Sequence, residues 1–199
     1  MLKQFVQEQE LLEDSYRLGV KVYESGFRPD FIVGVWRGGS AVGMYVQECL
    51  QYLGIAADHI AIRTSYRGMD EYLSRVHDPR SIRAHGLKYL YEAANHADKL
   101  LIIDDVYSTG QNVNAVINRL TMKMKRNLPH DIRVAVVYYK PSRNQTPRAP
   151  DYYLYQTDNW LVLPYELTGL TPKELSDHKP WIVPILAECG ADRKKAETD

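Results

Sequence analysis

The chain has 199 residues, enough for one domain with a small appendage. Its 25 basic and 25 acidic residues give a formal net charge of zero, which argues against broad binding to nucleic acid or to an anionic membrane. The sequence has no apolar run long enough for a membrane helix, no signal-peptide pattern near the N-terminus and no metal-ligand spacing around Cys49 or Cys189, so we expect a reduced, cytoplasmic protein.

Hydrophobic patterning predicts helices that alternate with strands. A helical face near the N-terminus consists of Leu11, Leu12, Ser15, Leu18, Gly19 and Val22. Short apolar runs predict strands over residues 30–36, 59–65, 99–104 and 132–140, because such runs are typical of strands covered on both faces. Amphipathic patterns predict a helix after the first of these strands and another after the third. The alternation predicts a parallel α/β sheet with right-handed crossovers.

The remaining segments have weaker patterns. Residues 66–82 are charged without a clean period, which indicates a mobile loop. A Pro-rich, basic break follows the fourth strand, and residues 152–167 then suggest short strands outside the main sheet. The polar tail is typical of a disordered segment.

The stretch "LIIDDVYSTGQN", residues 101–112, carries the strongest functional signal. Its adjacent carboxylates, Asp104 and Asp105, repel each other unless a cation or hydroxyl groups lie beside them. The loop that follows leads to a predicted helix N-terminus, where free backbone N–H groups bind phosphate. A sugar phosphate, with or without a hydrated Mg²⁺, fits both the aspartate pair and the loop that follows it. The alternative interpretation is a solvated aspartate pair ahead of a helix cap.

This stretch resembles the signature loop of the type I phosphoribosyltransferases, which join a nitrogenous base to 5-phosphoribosyl-1-pyrophosphate (PRPP) and release pyrophosphate. The resemblance covers about residues 30–167. It implies that Asp104 and Asp105 hold the ribose 2′- and 3′-hydroxyls. The residues that it implies for the 5′-phosphate and its surroundings are Tyr107, Ser108, Thr109, Gly110, Gln111 and Asn112.

The resemblance also implies an overall organisation. It predicts a parallel-sheet type I phosphoribosyltransferase fold, α/β in class, with a small hood built from the C-terminal region. The core PRPP-binding domain would span residues 1–145 and include a mobile loop over about residues 65–85. The hood and base-binding segment would span residues 146–185, and a polar tail would span residues 186–199. Members of the family commonly form homodimers or tetramers.

A second motif, "VGVWRGGSAVG", stands where the family has its pyrophosphate loop. By resemblance, Arg37, Gly38 and Gly39 bind pyrophosphate, and a cis peptide bond lies at Arg37–Gly38 or its neighbour. Two glycines allow backbone amides to approach an anion closely, although a tight strand-to-helix turn would look the same. Ser65 and Tyr66 match a pair at the root of the family's mobile loop. Arginines that this loop could bring to pyrophosphate, if they are not merely solvated, are Arg63, Arg67, Arg75, Arg80 and Arg83.

A third set of residues resembles the base site of the xanthine-guanine and hypoxanthine branch. The resemblance implies that Lys140 donates to the purine O6, that Trp160 stacks on the ring and that the Leu161 backbone reads the exocyclic edge. An aromatic face and a lysine charge suit an oxo-purine, which favours a pocket role for Trp160 over the alternative of a core tryptophan. Glu166 matches an acidic position near the metal, so the implied Mg²⁺ site involves Asp104, Asp105 and Glu166.

Two positions depart from the purine-specific pattern. Those members carry a third aspartate where this chain has Ser108, and Asn112 stands where threonine is usual. A serine hydroxyl can form a hydrogen bond with purine N7 but cannot take its proton at neutral pH. We therefore expect Mg²⁺-dependent transfer of phosphoribose to hypoxanthine, guanine or xanthine in purine salvage, with Asp104, Asp105, Arg37 and Ser108 as catalytic residues.

Two alternatives stay open at this point. One is a non-catalytic sensor of PRPP or of a nucleotide on the same fold. The other is a phosphoribosyltransferase for a non-purine base, such as a pyrimidine, which has no five-membered ring for Ser108 to face. In each case we expect small-molecule substrates or ligands and neither nucleic acid nor membrane as a partner.

Overall fold

The computed structural model describes residues 3–65 and 82–188 of the chain. The chain divides into two compact units: a core unit, Gln9–Asp158, and a small unit formed by Met1–Glu8 together with Asn159–Asp199. The prediction from the sequence placed the boundary between core domain and hood after residue 145, whereas the division into two units falls after Asp158. Within the described ranges, no helix is both long enough and apolar enough to cross a membrane.

The core unit alternates helices and strands, as the sequence pattern predicts. Its helices are α1 (Glu8–Glu24, which begins at the last residue of the small unit's first segment), α2 (Gly38–Tyr52), α3 (Lys88–Ala93) and α4 (Gln111–Met124). Its strands are β2 (Phe31–Trp36), β3 (Asp58–Ser65), β4 (Arg83–His85), β5 (Lys99–Tyr107), β6 (Asp131–Tyr139) and β7 (Tyr152–Gln156). The small unit holds β1 (Lys3–Phe5), β8 (Trp160–Val162), α5 (Pro172–His178) and α6 (Ile182–Glu188).

The core strands form one six-stranded sheet in the order β4-β3-β2-β5-β6-β7. All neighbouring pairs are parallel except β3 and β4, which are antiparallel. The sheet is thus α/β and mainly parallel, which confirms the predicted fold class. Because β2 and β5 are central neighbours, their carboxyl ends and the loops that follow them meet at one edge, where ligands bind in such sheets.

Alternating residues of the central strands fill the two sides of the sheet. On one side, Val33, Ile102 and Val134 are buried in a cluster that also contains Leu90 of α3 and Val116 of α4. Their chain neighbours point to the other side and are equally buried; these are Ile32, Leu101, Ile103, Ala135 and Val137. Burial on both sides explains why these strands are nearly continuous apolar runs.

Two predictions about the strands need correction, and two elements were missed. Strand β5 ends at Tyr107 rather than at residue 104, so the two aspartates lie inside the strand. The strand over Tyr152–Gln156 pairs in parallel with β6, so the prediction that it lies outside the main sheet is wrong. The antiparallel β4 was not predicted, and neither was α3. The predicted mobile loop and tail fall mostly on residues 66–81 and 189–199, outside the described residues.

The small unit contains its own two-stranded parallel sheet, in which β1 pairs with β8. The residues opposite Lys3, Gln4 and Phe5 are Trp160, Leu161 and Val162. Helix α5 begins with a capping box in which Thr171 accepts a hydrogen bond from the Glu174 amide, and the Glu174 carboxylate accepts one from the Thr171 amide. Lys3 Nζ lies 2.7 Å from the same carboxylate.

Candidate active site

The acidic pair lies in the second half of β5, at the carboxyl edge of the sheet. The Asp105 amide donates to Asp104 Oδ1 at 3.0 Å, and the Val106 amide donates to Asp105 Oδ1 at 2.7 Å. Burial, and secondly the neighbouring Asp105 carboxylate, raise the pKa of Asp104 well above its usual range. Two carboxylates held in this way favour a cation or hydroxyl donors beside them.

The glycine loop after β2 lies directly against this pair. The Gly39 amide donates to Asp104, and a Cβ added to Gly39 would stand 2.8 Å from Asp104 Cα and 3.0 Å from Asp104 Oδ1. Only glycine allows the loop to come this near. The peptide bond Trp36–Arg37 is cis, at the neighbour of the bond named in the sequence-based prediction. Arg37 is exposed, and Gly38 and Gly39 open helix α2.

The loop after β5 forms a small concave site at the N-terminus of α4. Gly110 has φ of 75°, a left-handed conformation that reverses the chain immediately before the helix begins at Gln111. A cavity of about 60 Å³ lies in this loop. Its lining is Asp104, Val106, Tyr107, Ser108, Thr109, Gly110, Asn112 and Val113. The Oδ1 atom of Asn112 is buried and has no hydrogen-bond partner among the described residues.

Unsatisfied donors at a helix N-terminus attract anions, whereas the oxygen of Asn112 needs a hydrogen-bond donor such as a hydroxyl group. The structure therefore brings the acidic pair, the glycine loop and the predicted phosphate loop together within the core unit. These are the residues that the sequence assigned to ribose, pyrophosphate and 5′-phosphate.

The Pro-rich break supports this loop, a role that the sequence did not suggest. The Tyr107 hydroxyl donates to the Arg148 carbonyl at 2.9 Å and lies 3.0 Å from Thr146 Oγ1. Gln111 Nε2 donates to Gln145 Oε1 at 2.7 Å, and the Gln145 amide donates to the Thr109 carbonyl at 3.1 Å. The side chains of Tyr107 and Gln111 are thus bonded to protein groups. We expect these two residues to contact a ligand through their main chain.

A histidine packs against strand β2 and helix α2, the two elements that the glycine loop connects. The His59 ring on β3 would lie 3.1 Å from a Cβ added to Gly34 and 3.0 Å from one added to Gly43. Its Nδ1 lies 3.2 Å from Gln47 Oε1, whereas Nε2 is buried without a partner among the described residues. Burial lowers the pKa of His59, with Asp58 opposing the shift, so the ring is held in its neutral form.

The other predicted site residues are distributed between the two units. Ser65 ends β3 and its hydroxyl lies 2.9 Å from His85 Nε2, while Tyr66 lies outside the described residues. Lys140 follows β6 in the core unit, and its amide donates to the Tyr107 carbonyl at 2.9 Å.

In the small unit, Trp160 is 56% exposed and Leu161 is buried. Glu166 accepts a hydrogen bond from the Leu163 amide at 3.0 Å through Oε2.

The possible ligands of Mg²⁺ at this site are the two carboxylates of the acidic pair. Among residues 3–65 and 82–188, no group of three or more His, Cys, Asp or Glu side chains forms a metal site. Mg²⁺ is usually held by one or two carboxylates together with phosphate oxygens of the substrate, so a complete protein cage is not required. The half-buried pair Asp104–Asp105 fits that mode, because a cation would offset the repulsion between its carboxylates.

Comparisons with known proteins agree with this geometry. Residues 1–168 match the sequence profile of the phosphoribosyl transferase domain. No curated protein sequence matches the chain.

Solved structures do match. A purine phosphoribosyltransferase from Pyrococcus horikoshii Ot3 superposes with a TM-score of 0.62 at 23% identity, covering 86% of this chain and 99% of that one. The xanthine-guanine-hypoxanthine phosphoribosyltransferase of Helicobacter pylori superposes with a TM-score of 0.61 at 17% identity, covering 89% of this chain and 100% of that one.

A hypothetical protein from Neisseria gonorrhoeae with bound ppGpp superposes with a TM-score of 0.64 at 16% identity, covering 94% of this chain and 97% of that one. At these identities the structural matches establish a shared fold.

Proposed function

The chain belongs to the phosphoribosyl transferase domain family, a family of glycosyltransferase-class enzymes, and on that premise we propose that it transfers phosphoribose from PRPP to a 6-oxopurine base. The products would be a nucleoside monophosphate and pyrophosphate, as in purine salvage. The observation that carries the proposal is the contact of Gly39 with Asp104 beside the loop that Gly110 closes. This contact brings the glycine loop, the acidic pair and the predicted phosphate loop together in one unit.

The reaction needs opposite charges stabilised at two places. As the bond from C1 to the pyrophosphate oxygen stretches, positive charge grows on the ribose and negative charge grows on the leaving group. Asp104 and Asp105 hold the 2′- and 3′-hydroxyls and favour the cationic sugar electrostatically. Arg37 and the amides of Gly38 and Gly39 receive the charge of pyrophosphate. The amides that open α4 bind the 5′-phosphate and fix the ring for attack.

Asp104 and Asp105 are the residues that we propose for Mg²⁺, with Glu166 as a further candidate from the resemblance. Bound with PRPP, the ion would neutralise charge on the pyrophosphate. Asp104 must be ionised for this role, so we expect its raised pKa to fall when a cation binds.

Base recognition is proposed separately for each unit. In the core unit, Lys140 follows β6 and supplies a positive charge suited to the O6 atom of an oxo-purine. In the small unit, the ring of Trp160 is exposed and offers a face for stacking, while Leu161 offers its backbone groups. Ser108 lines the cavity beside Asp104 and can form a hydrogen bond with N7 of the base without removing its proton.

A second candidate function is a nucleotide-binding regulator on the same fold. Two observations favour it: Ser108 replaces the acidic residue usual in purine-specific members, and the Neisseria gonorrhoeae structure of similar length holds ppGpp. Such a protein would use the same cradle for the phosphates of its ligand without efficient turnover.

The deciding experiment incubates the purified protein with PRPP, Mg²⁺ and one base at a time from guanine, xanthine, hypoxanthine and uracil, and measures both nucleotide and pyrophosphate. We expect product with at least one 6-oxopurine and none with uracil. Asp105→Asn is the control that must lose activity. Tight binding of a guanine nucleotide without pyrophosphate release would favour the regulator.

Ser108→Asp separates the two functions further. It restores a proton acceptor near N7, so an enzyme should gain turnover, on the order of tenfold, with purines. A regulator should show no such gain.

A further inference from the structure

We propose that Lys179 is a positioning residue that holds the turn after β8 in the conformation needed to recognise the base. The inference rests on the proposed function, since β8 carries Trp160 and Leu161. All the contacts involved lie within the small unit. None of the sequence motifs or the comparisons points to Lys179.

The side chain of Lys179 is buried, with 5% of the residue exposed. Its Nζ donates to the Leu163 carbonyl at 2.8 Å and to the Pro164 carbonyl at 2.6 Å. Lysine is rarely buried to this degree unless its charge is compensated. Desolvation lowers the pKa of Lys179, while Glu166 and Glu8 favour its charged form. A charge placed here at such a cost indicates that the two carbonyls need a fixed partner.

Glu166 holds the same turn from its other end. Its carboxylate accepts a hydrogen bond from the Leu163 amide at 3.0 Å, and its own amide donates to the Leu163 carbonyl at 3.0 Å. Leu163 is therefore bonded through both its amide and its carbonyl, the latter shared with Lys179. This arrangement assigns Glu166 a structural contact in addition to the metal role that the resemblance implies.

The turn matters because β8 is only three residues long. One side of the strand pairs with β1, with Gln4 opposite Leu161, and the Val6 amide donates to the Val162 carbonyl at 3.0 Å. Among the described residues, none pairs with the chain beyond Val162 as a strand of this sheet, and Lys179 and Glu166 hold the turn there. Loss of Lys179 would leave the Pro164 carbonyl without its donor and the Leu163 carbonyl with the Glu166 amide alone, which would loosen the end of β8. The peptide groups of Leu161 would then lose their fixed direction towards the base.

The test compares Lys179→Met, which keeps most of the length of the side chain and removes its donors, with Lys179→Arg, which keeps a charged donor. The matched control is Lys3→Met, which removes the part-exposed ion pair with Glu174 in the same unit. For Lys179→Met we expect the KM for the base to rise roughly tenfold or more, because a small misplacement of recognition groups is costly. The KM for PRPP should stay within about twofold, Lys179→Arg should recover most of the loss, and Lys3→Met should resemble the unaltered protein.

A second readout follows hydrogen exchange at the Leu163 and Glu166 amides. Faster exchange at these amides in Lys179→Met, with unchanged exchange in β5, supports the proposed hold on the turn. Equal rises of both KM values, or an unchanged KM for the base, would overturn the inference. If the unaltered protein binds no base by equilibrium dialysis, the proposed function itself fails. If it binds base and Lys179→Met binds equally well, only the role of Lys179 fails.

Discussion

Gly39 is in such close contact with Asp104 that no side chain fits between the glycine loop and strand β5. A methyl group at Gly39 would lie 2.8 Å from Asp104 Cα and would also overlap the Ile103 carbonyl. Because those atoms belong to the backbone of a central strand, the loop would have to move instead. The glycine loop and the acidic pair therefore depend on each other for their positions.

Gly39→Ala should displace the loop and reduce kcat/KM for PRPP by on the order of 100-fold, since catalysis depends on alignment of the groups around the leaving pyrophosphate. Steady-state kinetics with PRPP varied and base saturating would measure this. The control is Gly54→Ala, at φ 88° with nothing within 4 Å of the added carbon. It should cost about 1 kcal/mol of stability from the left-handed backbone while keeping full activity. Equal activity of the two variants would contradict the assignment.

Asp104→Asn should make the protein more stable and inactive. The pKa of Asp104 is raised above its ordinary value of 3.8 in the folded state. Between pH 3.8 and the raised pKa, the folded protein therefore binds more protons than the unfolded chain. The free energy of unfolding contributed by this group therefore falls as pH rises from about 3.8 through the folded pKa. The amide has no charge to desolvate, and urea titration at pH 7 should show higher stability for the variant.

At pH 3 the difference should largely vanish, because Asp104 is then mostly protonated in both states. A variant that is less stable than the unaltered protein at pH 7 would show that the acidic pair is not under strain.

Tyr107→Phe should weaken the support of the phosphate loop by the Pro-rich segment. The substitution removes the hydroxyl that bonds to the Arg148 carbonyl and contacts Thr146. We expect a loss of about 1–2 kcal/mol in the free energy of unfolding and weaker binding of phosphate-bearing ligands, measured by denaturation and by calorimetry with PRPP. Tyr52→Phe is the control, since Tyr52 is 90% exposed. If both substitutions had the same effect, the role of the Pro-rich segment would be refuted.

His59→Asn should flatten the dependence of stability on pH below neutrality. Burial lowers the pKa of His59 below 6.5 in the folded protein, so the unfolded chain takes up this proton first as pH falls. The unaltered protein should therefore lose stability as pH drops from about 6.5 towards the folded pKa, and part of that loss should be absent in His59→Asn. Denaturant titrations at pH 7.5 and 5.5 would measure the two slopes. Identical slopes would show that His59 titrates normally.

The central strands and the acidic pair were predictable because their signals are local. The runs around Ile32 and Ile102 reflect burial on both faces, and the pair Asp104–Asp105 with its loop is one continuous motif. The extension of β5 to Tyr107 was not predictable in this way. It follows from parallel pairing with Tyr139 on β6, a contact between distant parts of the chain.

The elements that were not predicted also depend on contacts between distant parts of the chain. Strand β4 has the sequence Arg-Ala-His, which carries no strand signal, and it exists through pairing with β3. The Pro-rich segment likewise shows no pattern that would connect Thr146 with Tyr107. Both depend on partners far away in sequence, whereas propensity and periodicity describe only near neighbours.

The parallel pairing of β1 with β8 has a consequence for how the protein is made. Lys3 comes before the whole core unit in the chain, whereas its neighbour in the sheet, Trp160, comes after it. The whole core unit is therefore synthesised before Trp160, so the core can fold while β1 still lacks its partner strand. The unit to which we assign stacking of the base is thus completed only after the core unit has been synthesised.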